Sequence, residues 1–318
     1  MRTPPALTVD ELGPGKLGGE VPAGPETGNV IELIGSEANM AEVTVGLLHP
    51  GEMGAAVGSV LRRRGRAVLW ASSGRSEATA RRAERADLRD VGSATELSRR
   101  SDVILSICPP HAAIEVAGSV AGFGGVFVDA NAVAPTTALV VAAAIEAGGA
   151  RYVDGGIIGG PPHTPGTTRL YLSGASAPEV AGLFAHTVME ARVVSDRPGA
   201  ASALKMAYAA WTKGTAALLI AIRALARAEG VEDELLDEWR TSLPTLPEQS
   251  LRAAQSACAK GWRWVGEMEE IASTFGSVDL PDGFHHGAAD VFRRAPRLEE
   301  AYADEPTLDR VLAALARG

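Results

Sequence analysis

From Val43 onward the apolar positions fall into short β-branched runs, each closed by a glycine-rich or polar break and followed by a longer helical pattern. Val43-Thr44-Val45-Gly46-Leu47-Leu48 predicts a first strand, Ala67–Trp70 a second, Asp102–Ile107 a third, Gly125–Asp129 a fourth and Arg151–Asp154 a fifth. Ala55–Leu61, the charged segment Glu77–Arg89 and Pro135–Ala147 read as helices between them. A glycine-proline loop spans Gly155–Gly166, and Leu170–Leu172 and Ala191–Val194 read as late strands flanking a helix near 177–186. This alternation predicts an α/β chain with a Rossmann-type, mostly parallel sheet.

After Pro198 the pattern changes. Ala200 to Glu229 contains no proline, has only Gly214 as an interior breaker, and is apolar on nearly every face. It predicts a long helix buried all round, and the remainder reads as helical with no strand. The expected organisation is a disordered extension over 1–39, a nucleotide-binding sheet domain over 40–198, and an all-α C-terminal domain over 199–318 begun by that buried helix. Met40, directly before the first strand, is a candidate initiator.

The formal charge of −9 argues against a nucleic-acid surface, which needs a basic stripe. Apolar residues make up 46% and aromatic residues 5%, as expected for a large core of Ala, Val and Leu. Cys108 and Cys258 stand in unrelated contexts with neither metal nor disulfide spacing, which fits a reducing compartment. No basic-then-apolar signal pattern is present, and the uncharged run between Lys213 and Arg223 falls short of a bilayer span. These features predict a soluble cytoplasmic protein with no membrane partner. His285 and His286 lack accompanying carboxylate spacing and read as surface or packing residues, so no metal is expected.

Candidate chemistry begins at Leu48-His49-Pro50-Gly51-Glu52-Met53-Gly54, where a strand, a glycine turn and a helix N-terminus would present unpaired N–H groups to a pyrophosphate. His49 stands where the first glycine of a dinucleotide fingerprint would be. The second strand ends at Ser72-Ser73-Gly74-Arg75 with no acid until Glu77. An arginine fork and serine donors suit a 2′-phosphate better than a bare ribose hydroxyl, which favours NADP(H) over NAD(H). Cys108-Pro109-Pro110 and Ala130-Asn131-Ala132 close the third and fourth strands and are expected to wall the nicotinamide side; Cys108 reads as a packing residue. Lys205 lies near the start of the apolar helix, with Tyr208, Ala209 and Thr212 on its face. Such a cation either snorkels to solvent or is held for a task, and the pattern alone leaves both open. In the helical domain Arg263 and Glu267 are spaced for an intrahelical pair, with substrate recognition by the Trp262–Glu270 segment as the alternative.

Taken in order, these signals resemble the β-hydroxyacid dehydrogenase superfamily, which includes 6-phosphogluconate dehydrogenase and the imine reductases. They look closest to bacterial oxidoreductases with a phosphogluconate-dehydrogenase-like C-terminal domain of unassigned function. The likeness covers residues 43–318 and rests on Gly46–Gly54, Val128–Pro135, Asp154–Gly160 and Gly199–Lys205. It implies hydride transfer between a nicotinamide and a carbonyl or secondary alcohol, with Lys205 as general acid/base and Ile158, Gly159 and Gly160 as the substrate loop. Two positions depart from the family: Ile158 replaces a serine before Gly-Gly, and Ala209 replaces the asparagine four residues after the lysine. Both remove polar contacts to a short hydroxy acid, and Tyr208 or Thr212 could stand in. An imine reductase and a non-catalytic NADP(H) sensor are the alternatives. The apolar helix after Gly199 predicts a homodimer.

Overall fold

Eight strands form one sheet: β1 (Val45–Leu47), β2 (Val68–Trp70), β3 (Arg89–Asp90), β4 (Val103–Ser106), β5 (Val126–Asp129), β6 (Arg151–Ile158), β7 (Thr168–Ser173) and β8 (Met189–Ser195). Their spatial order is β3-β2-β1-β4-β5-β6-β7-β8, and every neighbouring pair is parallel except β6 with β7. The computed structural model describes residues 43–297 and 307–316, so the extension expected over 1–39 lies outside the described residues. Between strands run α1 (Glu52–Arg63), α2 (Glu77–Arg85), α3 (Ala94–Arg100), α4 (Ala113–Gly118), α5 (Pro135–Ala147) and α6 (Ala177–Leu183). The chain leaves β1 towards β2 on one side and returns to β4 on the other. This places a topological switch point between β1 and β4, where open α/β sheets bind ligands.

Both sheet faces are buried. Val45, Leu47, Val103, Val128 and Leu172 belong to one apolar cluster, while Leu48, Ile104, Phe127 and Tyr152 belong to another. Near-continuous apolar strands follow from that two-sided burial.

The sheet departs from expectation at three places. The segment from Glu77 stops being helical at Arg85, because Asp87 takes a left-handed turn (φ +56°) that returns buried Leu88 to the core and Arg89–Asp90 to the edge of β2. Helix α3, capped by the Ser93 hydroxyl on the Glu96 N–H, was not foreseen. The glycine-proline loop begins later than its composition implied. Gly155 to Ile158 extend β6, because β7 returns antiparallel and pairs Gly155 with Leu172 and Ile158 with Arg169.

The helical part comprises α7 (Ala200–Ala228), α8 (Glu232–Ser242), α9 (Leu246–Gly276), α10 (Gly283–Arg294) and α11 (Thr307–Ala316). Small residues let these helices approach closely: Ala209 and Ala217 of α7 share a core with Ala254 and Ala257 of α9, Ala289 of α10 and Val311 of α11. Buried Arg223 is offset by Glu232 (2.5 Å) and by the Ser250 hydroxyl (2.8 Å).

Helix α7 is not buried all round. Met206, Ala209, Ala217 and Ile220 face the core, but Trp211 is 74% exposed and Leu225 63%. By length and mean hydropathy (1.2) α7 is also long and apolar enough to cross a membrane, yet 39% of that stretch is buried against the rest of the chain. Its apolar character exceeds what α9, α10 and α11 of the same chain cover.

The junction between sheet and helices is specific. Asp154, buried in β6, accepts the Ser202 N–H (2.9 Å), the Ser202 hydroxyl (2.5 Å) and the Ser173 hydroxyl (2.9 Å). The Ser173 hydroxyl in turn accepts the Ala201 N–H (3.0 Å). The first turn of α7 follows a left-handed Gly199 (φ +87°) with no capping side chain of its own, so its free donors are satisfied by the sheet. Gly156 completes the contact, since a Cβ there would lie 2.9 Å from the Lys205 Cβ and 3.0 Å from the Ala201 carbonyl. Replacing Asp154 by Ala strands these buried donors. The expected loss is about 3 kcal/mol of unfolding free energy, measured by denaturant titration; a change below about 0.5 kcal/mol would mean the anchor is dispensable.

Candidate active site

At the carboxyl ends of β1 and β2, the turn 48–54 is held by its own geometry. A Cβ at Gly54 would sit 2.1 Å from the His49 carbonyl, so only glycine fits. A Cβ at Gly51 would meet nothing within 4 Å, and no side chain caps α1 behind it. Open space before an uncapped helix N-terminus is what a pyrophosphate needs. Leu48 and Met53 turn their side chains into the core, Pro50 offers its carbonyl to the Arg82 Nε (3.3 Å), and exposed Glu52 faces Arg263 of α9 (3.6 Å).

His49 and Arg75, 26 residues apart, meet in a side-chain hydrogen bond across this opening. Burial, aided by the Arg75 guanidinium, holds the His49 imidazole down at about 4, so the ring is neutral near pH 7. The tip of β2 is shaped by Asp90, which sequence reasoning missed. Its carboxylate accepts the Ser72 N–H (3.2 Å) and the Gly92 N–H (2.8 Å), while the Ser73 N–H reaches the Gly92 carbonyl (2.8 Å). The hydroxyls of Ser72 and Ser73 and the guanidinium of Arg75 therefore stand on an ordered tip. Together with the turn at Gly51, this tip fits a nicotinamide dinucleotide.

The two loops after β4 and β5 are tied by Asn131. Its side-chain oxygen accepts the Cys108 N–H (2.5 Å), and its amide donates to the Ser106 hydroxyl (3.1 Å) and to Asp129 (2.5 Å). Asn131 is buried, and both ends of its amide are spent on fixing the loops. Asp129 pairs in register with Asp154, and burial, with Asp154 alongside, raises its carboxyl to about 7 despite the Asn131 hydrogen bonds. Burial and Asp129 push the Cys108 thiol up to about 12, so it is an inert packing group. Pro109 is exposed at the rim, and Pro110 opens a single 3₁₀ turn.

Lys205 sits in the second turn of α7, half-buried, with its Cβ above Gly156. Burial and Lys213 lower its amine to about 8 against the opposing pull of Glu267. Ile158 is buried at the end of β6. Gly159 (φ +119°) must be glycine because a Cβ would meet the Thr167 carbonyl at 2.2 Å, and the Gly160 carbonyl accepts the Thr168 hydroxyl (2.6 Å). Tyr208 and Thr212 are exposed, and the Thr212 hydroxyl is satisfied by the Tyr208 carbonyl (3.3 Å) within α7.

Helix α9 closes the arrangement with side chains at i, i+4 and i+7. Arg263 faces Glu52, Glu267 pairs with Lys213, and Glu270 accepts the Ala134 N–H (2.6 Å) and the Thr137 hydroxyl (3.0 Å) at the start of α5. The intrahelical Arg263–Glu267 pair expected from spacing does not form. A partner in the drier space between helices outweighs a solvated i,i+4 pair, and Arg263 lies over the Trp262 ring (4.9 Å) instead. His285 packs against Phe275 (4.3 Å between centroids), and no cluster of three metal-ligating side chains occurs among the described residues.

Residues 226–295 match the family model described as a domain of unknown function, DUF1932. An uncharacterised 28.5 kDa protein from Methanothermus fervidus is 30% identical over 165 residues, which span 52% of this chain and 63% of that relative's length. The solved structure of MTH1747, a conserved protein of unknown function described as similar to 3-hydroxyacid dehydrogenases, superposes with a TM-score of 0.61 at 26% identity. It covers 80% of this chain and 98% of its own. The 3-hydroxyisobutyrate dehydrogenase of Salmonella typhimurium superposes with a TM-score of 0.63 at 18% identity, covering 86% and 99%. The chain has the fold of the β-hydroxyacid dehydrogenase superfamily. Within that superfamily fold, the His49–Arg75 contact is a feature of this chain's own residues. Its ring protons are expected to titrate by NMR with a midpoint near 4. A midpoint near the unperturbed ~6.5 would mean the imidazole is neither buried nor beside a cation.

Proposed function

We propose that the chain is an NADP(H)-dependent oxidoreductase that moves hydride between nicotinamide and a carbonyl or secondary alcohol, with Lys205 as the general acid/base. The observation that carries this reading is Lys205 itself. An amine held at about 8 on the helix anchored to the sheet by Asp154 has the proton affinity that acid–base work near neutrality requires. Bound nicotinamide would supply the hydride in reduction and take it up in oxidation. In reduction, the Lys205 ammonium donates a proton to the developing alkoxide; in oxidation, the amine accepts it from the hydroxyl. Gly51 and the α1 N-terminus would hold the pyrophosphate, and Ser72, Ser73 and Arg75 would hold a 2′-phosphate. Ile158, Gly159, Gly160, Tyr208 and Thr212 border the substrate.

The exposed apolar side of α7, with Trp211, Leu218 and Leu225, supports a homodimer in which a second copy covers it. Free Cys108 and Cys258 support a cytoplasmic setting.

Lys205→Ala is expected to lower turnover at least about 100-fold while NADPH affinity stays within about twofold in a fluorescence titration. Retained turnover would remove Lys205 from the chemistry. Carbonyl reduction should decline as pH rises through about 8, because the donor loses its proton, and alcohol oxidation should rise over the same range. Arg75→Ala should weaken NADPH by about 10- to 100-fold with little effect on NADH; equal losses for both would place the guanidinium away from the 2′-phosphate.

A further inference from the structure

His49 and Arg75 come from the two loops that bound the dinucleotide opening, and they differ in how firmly each is held. The His49 backbone is fixed by the turn itself, since Gly54 approaches its carbonyl so closely that a Cβ would lie 2.1 Å away. The His49 ring is half-buried. Arg75 is exposed on the β2 tip, directly after a left-handed Gly74 (φ +72°). Its backbone N–H bonds the Ser72 carbonyl (3.0 Å), which shapes the tip but does not direct the side chain. The acids nearby are engaged elsewhere: Glu77 pairs with Arg81 (3.0 Å), and Asp90 accepts the Ser72 and Gly92 N–H groups. Among the described residues, the one hydrogen-bond partner of the Arg75 guanidinium is the His49 Nε2. A guanidinium only donates, so Nε2 accepts, and a neutral imidazole that accepts there carries its proton on Nδ1. The His49 Nδ1 is buried with no hydrogen-bond partner among the described residues. Nothing on that side of the ring selects the tautomer; the arginine does.

We infer that His49 is a positioning residue that determines cofactor specificity: its Nε2 seats the Arg75 guanidinium at the opening and leaves the other N–H donors of that group for a 2′-phosphate. This rests on the reading of Arg75 as the 2′-phosphate ligand. An exposed arginine side chain loses its rotamer freedom when it binds a phosphate, and one already bonded to a fixed ring has lost part of it beforehand. The chemistry of the acceptor matters as much as its place. A carboxylate at this position would seat the guanidinium equally well, but it would offset the positive charge and repel the phosphate. A neutral imidazole holds the cation and leaves its charge available. A glycine, the residue a dinucleotide fingerprint has here, offers no acceptor at all. The histidine in the turn and the missing acid at the β2 tip are thus two halves of one feature.

Calorimetry on the full chain with adenosine 2′,5′-bisphosphate and adenosine 5′-monophosphate isolates the 2′-phosphate from the rest of the cofactor. His49→Phe keeps a ring and removes the acceptor. It should weaken the bisphosphate about 3- to 10-fold and leave the monophosphate within about twofold. His49→Gln returns an acceptor oxygen and should recover most of that loss. In an Arg75→Ala background, His49→Phe should have no further effect on the bisphosphate, because the two side chains act as a unit. Nitrogen NMR supplies a readout without ligand: the parent ring should carry its proton on Nδ1, and Arg75→Ala should free Nε2 to take it. Equal losses for both fragments would make His49 a residue of the turn alone. Unchanged binding would mean that Arg75 seats itself, and tighter binding that the contact obstructs the opening; each of the three overturns the inference. Should His49→Phe fail to fold, His49→Ala removes the same acceptor and carries the same expectation. Bisphosphate affinity unchanged in Arg75→Ala would defeat the 2′-phosphate reading and the inference with it. A loss in Arg75→Ala without one in His49→Phe would defeat the inference alone.

Discussion

The seating of α7 on the sheet governs the rest of the molecule. A helix that begins after a left-handed glycine has several unsatisfied N–H groups, and here a buried carboxylate and a serine hydroxyl on neighbouring strands accept two of them. Asp154 accepts from Ser202 twice and from Ser173 once, and Ser173 accepts from Ala201. Three residues later comes Lys205, and the missing side chain at Gly156 lets its Cβ settle against β6. A soft contact there would let the helix rotate or rise. A buried anion matched to a helix N-terminus fixes both, and so determines where the amine stands relative to the open edge of the sheet.

The same economy runs through the cleft. Each loop at the carboxyl edge is fixed by one polar side chain rather than by bulk: Asp90 for the β2 tip, Asn131 for the loops after β4 and β5, and Glu270 for the start of α5. Helix α9 contributes three of its charged groups to three different neighbours. The helical part therefore grips the sheet domain around the cleft through directional contacts, and its apolar packing is left to hold the helices to one another.

Much of this was legible in the sequence because it depends on local rules. Apolar run length marked the strands, Pro135 and Ala147 marked helix α5 to the residue, and glycine spacing marked the turn at Gly51 and Gly54. The discrepancies have a common cause in partners distant along the chain. Gly155 and Gly156 look like loop residues until β7 pairs with them and α7 lies over them. Glu267 looks like a partner for Arg263 until Lys213 approaches from another helix. Two residues of β3 have no periodicity to read, and Asp129 and Asp154 declare nothing until their strands align in register. Lys213 did carry a signal, a second lysine two turns after Lys205 in a helix of mostly small and apolar residues, but its partner lies on α9.

Chemistry and architecture converge on the relation between one nitrogen and the dinucleotide opening, and a crystal structure of the full chain with NADPH measures it. The 2′-phosphate is expected at Arg75 and the Lys205 Nζ within about 6 Å of the nicotinamide C4. A single carbonyl group would then reach both, at about 3 Å from the amine and about 3–3.5 Å from C4. An Nζ directed into solvent, or one separated from C4 by more than a carbonyl group can bridge, would contradict it.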